Sequence, residues 1–196
     1  RQRQMCIRDS LSPIKHLGDF GPELSFGQQL IPTMKDGEIL AIYKFTDSGS
    51  QSLDWLPKGS KESYRDRYQD WITGIKKCRD DLTEQGYQCE IPAIFWHCGE
   101  NDRALNWMAD KYTDRFQTFM NATRKDLELP HLNWILTEQP ILTADITGDE
   151  KLYDLNSDLE ALDASDPNFT FVKTSDLPHN PCLLYTSDAA DERHCV

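Results

Sequence analysis

Four short apolar runs set what this chain can fold into. They are EILAIYKF (38–45), IPAIFWH (91–97), LNWIL (132–136) and FTFV (169–172). Each is short enough for a strand and is bounded by turn-forming or polar residues. The segments between them follow a helical period. A helix is predicted from Ser60 or Lys61, with Tyr64, Tyr68, Trp71, Ile75 and Leu82 on one stripe and Gly86 as its stop. That stripe is expected to be core. A second helix over 108–127 gathers Tyr112, Phe116, Phe119 and Met120 on one face and is closed by Pro130. A short helix is predicted over 23–34 and an acidic one over 149–162, while 46–60, rich in Ser and Gly, reads as a loop. Strands alternating with helices, and strands apolar throughout, specify an α/β fold with a mostly parallel sheet covered by helices on both faces.

Composition narrows the function. The 196 residues carry 21 basic and 33 acidic side chains, a formal net charge of −12. The isoelectric point near 4.8 argues against nucleic acid as a partner, because sequence-independent binding needs a basic footprint. No run reaches the roughly 18 apolar residues of a membrane span. Hydrophobic residues at 38% are enough for a core, with a polar surface to match a mean hydropathy of −0.64.

Both ends break the hydrophobic pattern. Residues 1–10 and 182–196 resemble peptides translated from sequencing-adapter DNA at the ends of assembled transcripts. They are expected to be non-native scars flanking a domain over 11–181. Setting them aside leaves Cys78, Cys89 and Cys98. That odd number, without C-x-x-C spacing, supports neither a disulfide framework nor a zinc site. His16 and His131 have no metal-ligand partner at a recognisable spacing, and the acidic stretch 145–166 lacks the central Gly of a calcium loop. No metal or cofactor is expected. The sequence sets neither compartment nor oligomeric state; a secreted or extracytoplasmic location stays open.

In parallel α/β sheets, ligands sit beyond the carboxyl ends of the strands. Two loops there carry chemistry. Asp176-Leu-Pro-His179 is a D-x-x-H, in which the carboxylate can orient the imidazole and stabilise it once protonated. Its alternative is a surface loop with an incidental histidine. Gly99-Glu-Asn-Asp102 follows the run IPAIFWH. Glycine there permits close backbone approach, and the Asn101 amide can donate to a developing oxyanion. Asn101 and Asp102 are equally good N-caps, and both readings can hold together. Cys98 beside His97 is a poor candidate for a thiol nucleophile, since adjacent strand residues point to opposite faces.

These residues resemble a family. Trp96-His-Cys-Gly-Glu-Asn-Asp102 resembles the W-x-Q-G-E-x-D block of the sialate O-acetylesterase-like domain, a branch of the SGNH/GDSL hydrolases related to carbohydrate esterase family six. Phe20-Gly-Pro-Glu-Leu-Ser-Phe-Gly27 is similar to its G-P-E-x-x-F-G segment. Residues 42–55 resemble its strand, Gly-Gly-Thr loop and Trp, and Phe171 to His179 its catalytic block. The resemblance runs in order from about residue 17 to 180. It implies a three-layer, flavodoxin-like α/β/α domain and a serine esterase that removes acetyl groups from carbohydrates. It further implies His179 as general base, Asp176 as its orienter, Gly49 and Asn101 as oxyanion donors, and Glu100 and Asp102 as supporting residues.

The chain departs from the family in one decisive place. The resemblance calls for a nucleophile in a Gly-Gln-Ser-Asn turn before the Gly-Pro-Glu segment, and no such turn occurs in the sequence. The expectation is an N-terminally truncated, inactive fragment lacking its first strand and its serine. Ser48 is the weak alternative, because Phe45-Thr-Asp-Ser48 follows a strand but has Thr46 where a G-D-S turn has Gly. Cys98 stands where the family has Gln and is a weaker donor. Two other readings are a lipase- or thioesterase-type hydrolase of the same superfamily and a non-catalytic carbohydrate-binding relative.

Overall fold

A computed structural model of the chain describes residues 5–9, 23–47, 49–138 and 153–175. The chain divides into two compact units, residues 1–47 and 48–196.

In the first unit, strand β1 (Met5–Asp9) lies parallel to β2 (Leu40–Lys44), with Met5 beside Leu40 and Asp9 beside Lys44. β1 falls within the segment that the sequence reading set aside. Between the two strands comes helix α1 (Glu23–Leu30), followed by a 3-10 turn over Ile31–Thr33. The predicted helix over 23–34 therefore stops early. Pro32 cannot donate a backbone hydrogen bond, and the Thr33 hydroxyl donates back to the Leu30 carbonyl at 2.7 Å. Lys44 Nζ pairs with Glu23 Oε1 at 3.1 Å.

The second unit holds a three-stranded parallel sheet of β3 (Ala93–Trp96), β4 (Asn133–Thr137) and β5 (Phe169–Val172), in sequence order. Its helices are α2 (Arg67–Glu84), α3 (Asn106–Ala109), α4 (Tyr112–Asp126) and α5 (Asn156–Ser165). Three helix boundaries differ from the periodicity. α2 starts six or seven residues late because Tyr64 N–H donates to the Leu53 carbonyl at 3.4 Å instead of continuing a helix. Tyr64 consequently leaves the expected core stripe and is 76% exposed, whereas Tyr68, Trp71 and Ile75 are buried. The predicted helix over 108–127 is broken where Lys111 N–H donates to the Met108 carbonyl, three residues back. α5 begins only after Asp154, whose Oδ1 accepts from Asn156 N–H at 2.8 Å; residues 149–152 of the predicted acidic helix lie outside the described residues. The loop predicted over 46–60 contains a 3-10 turn, Ser52–Trp55, that is largely buried.

Aromatic side chains form the core of this unit. Trp96 of β3 meets Trp55 edge-on at 4.8 Å and Phe119 of α4 at 4.7 Å between ring centroids. Trp134 of β4 packs on Phe119 at 5.2 Å and on Phe116 at 5.7 Å, and Trp71 of α2 lies 4.9 Å from Phe119. Such pairs add roughly 0.5–1.5 kcal/mol each beyond the area they bury. The contacts place α2 and α4 on the sheet face that carries Trp96 and Trp134. At alternate positions, Phe95 and Val172 are exposed.

Candidate active site

The strand order brings the ends of β3, β4 and β5 side by side, and the polar residues begin there. After β3 the chain passes through His97 and Cys98 to Gly99, which has φ +139°. A side chain at Gly99 would meet Leu155 Cδ1 and Tyr112 Cε2, both at 3.2 Å, so the position demands glycine. The Tyr112 hydroxyl donates to the Cys98 carbonyl and fixes the turn from below.

The two carboxylates of this turn then diverge. Asp102 is fully buried. Its oxygens accept Ser52 N–H at 3.0 and 3.2 Å and the Ser52 hydroxyl at 2.5 Å. Burial raises the Asp102 pKa, and the donations from Ser52 offset only part of that rise. Arg115 of α4, itself buried, reaches Ser52 Oγ at 3.5 Å with Nη1 and holds Glu62 Oε2 at 2.8 Å with Nε. Asp102 thereby lashes the 49–55 loop to the loop after β3. Asn101 closes the same join, with Nδ2 donating to the Ser50 carbonyl at 3.3 Å. A primary amide has a second N–H to offer an oxyanion.

Glu100 lies on the exposed side. Its Oε1 is 2.9 Å from His97 Nε2, and His97 Nδ1 is 2.8 Å from Thr137 Oγ1 at the end of β4. An ionised carboxylate can only accept, so the neutral ring carries its proton on Nε2 and accepts a hydrogen bond from the Thr137 hydroxyl at Nδ1. The hydrogen bond to Glu100 raises the His97 pKa against the opposing effect of burial. Burial pushes Glu100 up, but the hydrogen bond and charge of His97 together with the backbone donations of Gly99 and Glu100 outweigh it, and Glu100 ends below its ordinary value.

Of the sequence-predicted site residues, Gly49, Glu100, Asn101 and Asp102 fall among the described residues. Gly49 has φ +67°, a left-handed conformation that favours glycine. The structure joins its loop to Asn101 and Asp102 through Ser50 and Ser52. Ser48, Asp176 and His179 lie outside the described residues. The approach to that last pair is nonetheless visible. Glu138, just past β4, accepts Thr174 N–H and Ser175 N–H on one oxygen, both at 2.8 Å. Burial raises its pKa, yet these donations outweigh burial and hold it low. Cys98 is buried. Burial, with the Glu100 and Asp102 charges nearby, pushes its thiol far up, which disfavours the thiolate a nucleophile needs. Among the described residues no group of three or more His, Cys, Asp or Glu could hold a metal, and no helix is long and apolar enough to cross a membrane.

Sequence reasoning missed Ser52, Arg115, Glu62 and Thr137. Only Arg115 left a signal: it lies three residues after Tyr112, on the apolar face of its helix, where a charge requires a buried partner.

Parallel strands with polar loops gathered at their carboxyl ends define the class, an α/β protein with a parallel sheet. The match is narrower than the class. A family model described as carbohydrate esterase, sialic acid-specific acetylesterase matches residues 7–193, and the chain belongs to that family. A protein from Arabidopsis thaliana, solved by X-ray crystallography, is similar in fold, with a TM-score of 0.60 at 17% identity. The match covers 85% of this chain and 61% of that protein. No curated protein matches the chain.

Proposed function

We propose that the domain is a serine-type carbohydrate O-acetylesterase, with acetylated sugars as substrate. Family membership supplies the reaction class. The observation that carries the site assignment is the Asn101–Ser50 hydrogen bond, which sets the Asn101 amide against the loop that begins at Gly49. In this reading, a serine attacks the acetyl carbonyl while the Gly49 N–H and the Asn101 amide receive the developing oxyanion. His179 takes the serine proton and passes it to the departing sugar hydroxyl, and Asp176 holds the ring in the required tautomer. Water then hydrolyses the acyl-enzyme with His179 again as base.

No serine in these 196 residues sits in a Gly-Gln-Ser-Asn turn, and the proposal leaves the nucleophile outside them. Loss of a triad nucleophile costs on the order of 10⁶ in turnover. The 196-residue chain should therefore release no acetate from O-acetylated sugars in a serine-inhibitor-sensitive manner. The same chain preceded by its upstream coding sequence should do so, and His179→Ala should abolish it. Inhibitor-sensitive release by the short chain, lost in Ser48→Ala, would move the nucleophile to Ser48. Absence of release by the extended chain would sink the esterase reading.

A further inference from the structure

Trp107 stands apart from the other tryptophans. Trp55, Trp71, Trp96 and Trp134 are all buried, while Trp107 of α3 is 56% exposed beside Leu105, itself 47% exposed. The ring is not loose. The guanidinium carbon of Arg115 sits 5.7 Å from its centroid. Arg115 is in turn fixed by Glu62 at 2.8 Å, by the Met108 carbonyl at 3.3 Å and by Ser52 Oγ at 3.5 Å. A cation over one face of an indole is favourable and orients the ring. Two residues along from Glu62 is the other highly exposed aromatic residue of this region, Tyr64, tied through its backbone to Leu53.

We propose that Trp107 is a stacking platform for a pyranose ring, braced by the Arg115–Glu62 pair on the face that Arg115 covers. A pyranose presents polarised C–H bonds on one face and hydroxyls around its rim. An electron-rich indole with one face held by Arg115 and more than half its surface exposed suits that C–H face. Because Arg115 holds the ring beforehand, little ordering entropy is lost when the sugar docks. With its charge already engaged by Glu62, Arg115 serves to orient the indole. The same arginine touches Ser52, which bonds Asp102, the neighbour of Asn101. One run of contacts thus connects the platform to the candidate oxyanion donor. The proposal rests on the carbohydrate-esterase reading for its ligand class, but it does not require this chain to turn over.

The test is a titration of the 196-residue chain with a methyl pyranoside and with its peracetylated form. Tryptophan emission, the Trp107 indole N–H resonance and saturation transfer to the sugar are followed together. Both sugars should bind saturably, with saturation transferred to one face of the ring. Trp107→Ala should weaken binding by about tenfold or more, and Trp107→Tyr, which keeps a ring, by about threefold. Circular dichroism should show both variants folded, since the side chain is at the surface. No binding by the parent chain, or equal binding by Trp107→Ala, overturns the proposal. So does concentration-dependent self-association that Trp107→Ala abolishes, which would make the patch a protein contact. Acetate release by the extended chain is scored separately. Pyranoside binding at Trp107 without release there would retain the platform and remove the esterase reading.

Discussion

Asp102 and Glu100 sit two residues apart in one turn and live in opposite environments. Asp102 is buried, fully engaged by Ser52, and backed by Arg115. Glu100 is half-exposed and paired with an imidazole that also reaches Thr137. The same functional group thus serves two ends. A buried carboxylate with every donor in place fixes one loop against another, and its removal leaves donors stranded in a dry setting. An exposed carboxylate facing histidine does little for stability, because solvent screens it, but it shifts a titration. The lesson is that the Gly-Glu-Asn-Asp motif divides its labour by burial, and each half can be broken separately.

The largest effect is expected from Asp102→Ala. It strands the Ser52 N–H and hydroxyl and removes a buried negative charge that Arg115 stabilises through space. A loss of about 3 kcal/mol in urea unfolding is expected. A change below about 0.5 kcal/mol would put Asp102 on the same footing as Glu100 and end the distinction. Ser52→Ala removes the hydroxyl from the same network but keeps the N–H donation. A loss of about 1–2 kcal/mol should follow, and it should be less than additive with Asp102→Ala because the two share a bond.

Glu100→Gln should leave stability within about 0.5 kcal/mol of the parent. Its effect belongs to pH. His97 is raised above its ordinary 6.5, so its contribution is complete below that value and is lost as pH rises through the folded midpoint. Glu100 is lowered from 4.5, so its contribution is complete above 4.5 and is lost as pH falls further. The pair is therefore fully formed between 4.5 and 6.5. In an NMR titration the His97 midpoint should fall when Glu100 becomes Gln. An unmoved midpoint would show that the hydrogen bond is not what raises it.

The smallest global effect is expected from Glu138→Ala. Unfolding should change by less than about 0.5 kcal/mol. Amide exchange at Thr174 and Ser175 should nevertheless quicken by about tenfold, as their acceptor disappears. Protection unchanged at both amides would mean that Glu138 does not anchor the approach to Asp176.

The fold was legible where a single period governed. The strands at 91–97, 132–136 and 169–172 emerged within two residues at each end, because an apolar run between turns has few other readings. Helix ends were harder. They were decided by single hydrogen bonds that periodicity does not encode: Tyr64 to Leu53, and Asn156 to Asp154. The site was legible through its motif, since Gly99, Glu100 and Asp102 stand in the order of the G-E-x-D block that the segment resembles. Its supports were not. Ser52 lies 50 residues before Asp102 and Thr137 lies 40 after His97. The β3–β4 pairing makes His97 and Thr137 neighbours, whereas Ser52 meets Asp102 through loop packing that no period encodes. Trp107 was invisible for another reason, because whether an aromatic ring in a helix faces core or solvent depends on which neighbour covers it.

One consequence of the sheet concerns how the protein is made. β3, β4 and β5 pair in the order in which they are synthesised, and each newcomer joins the strand immediately before it. None of these three strands must wait for a later one to be inserted beside it. Loop-closure entropy is therefore met one crossover at a time. The sheet of the second unit can grow at one edge as the chain leaves the ribosome, with the Trp96–Phe119–Trp134 cluster available to stabilise the first two strands before the third exists.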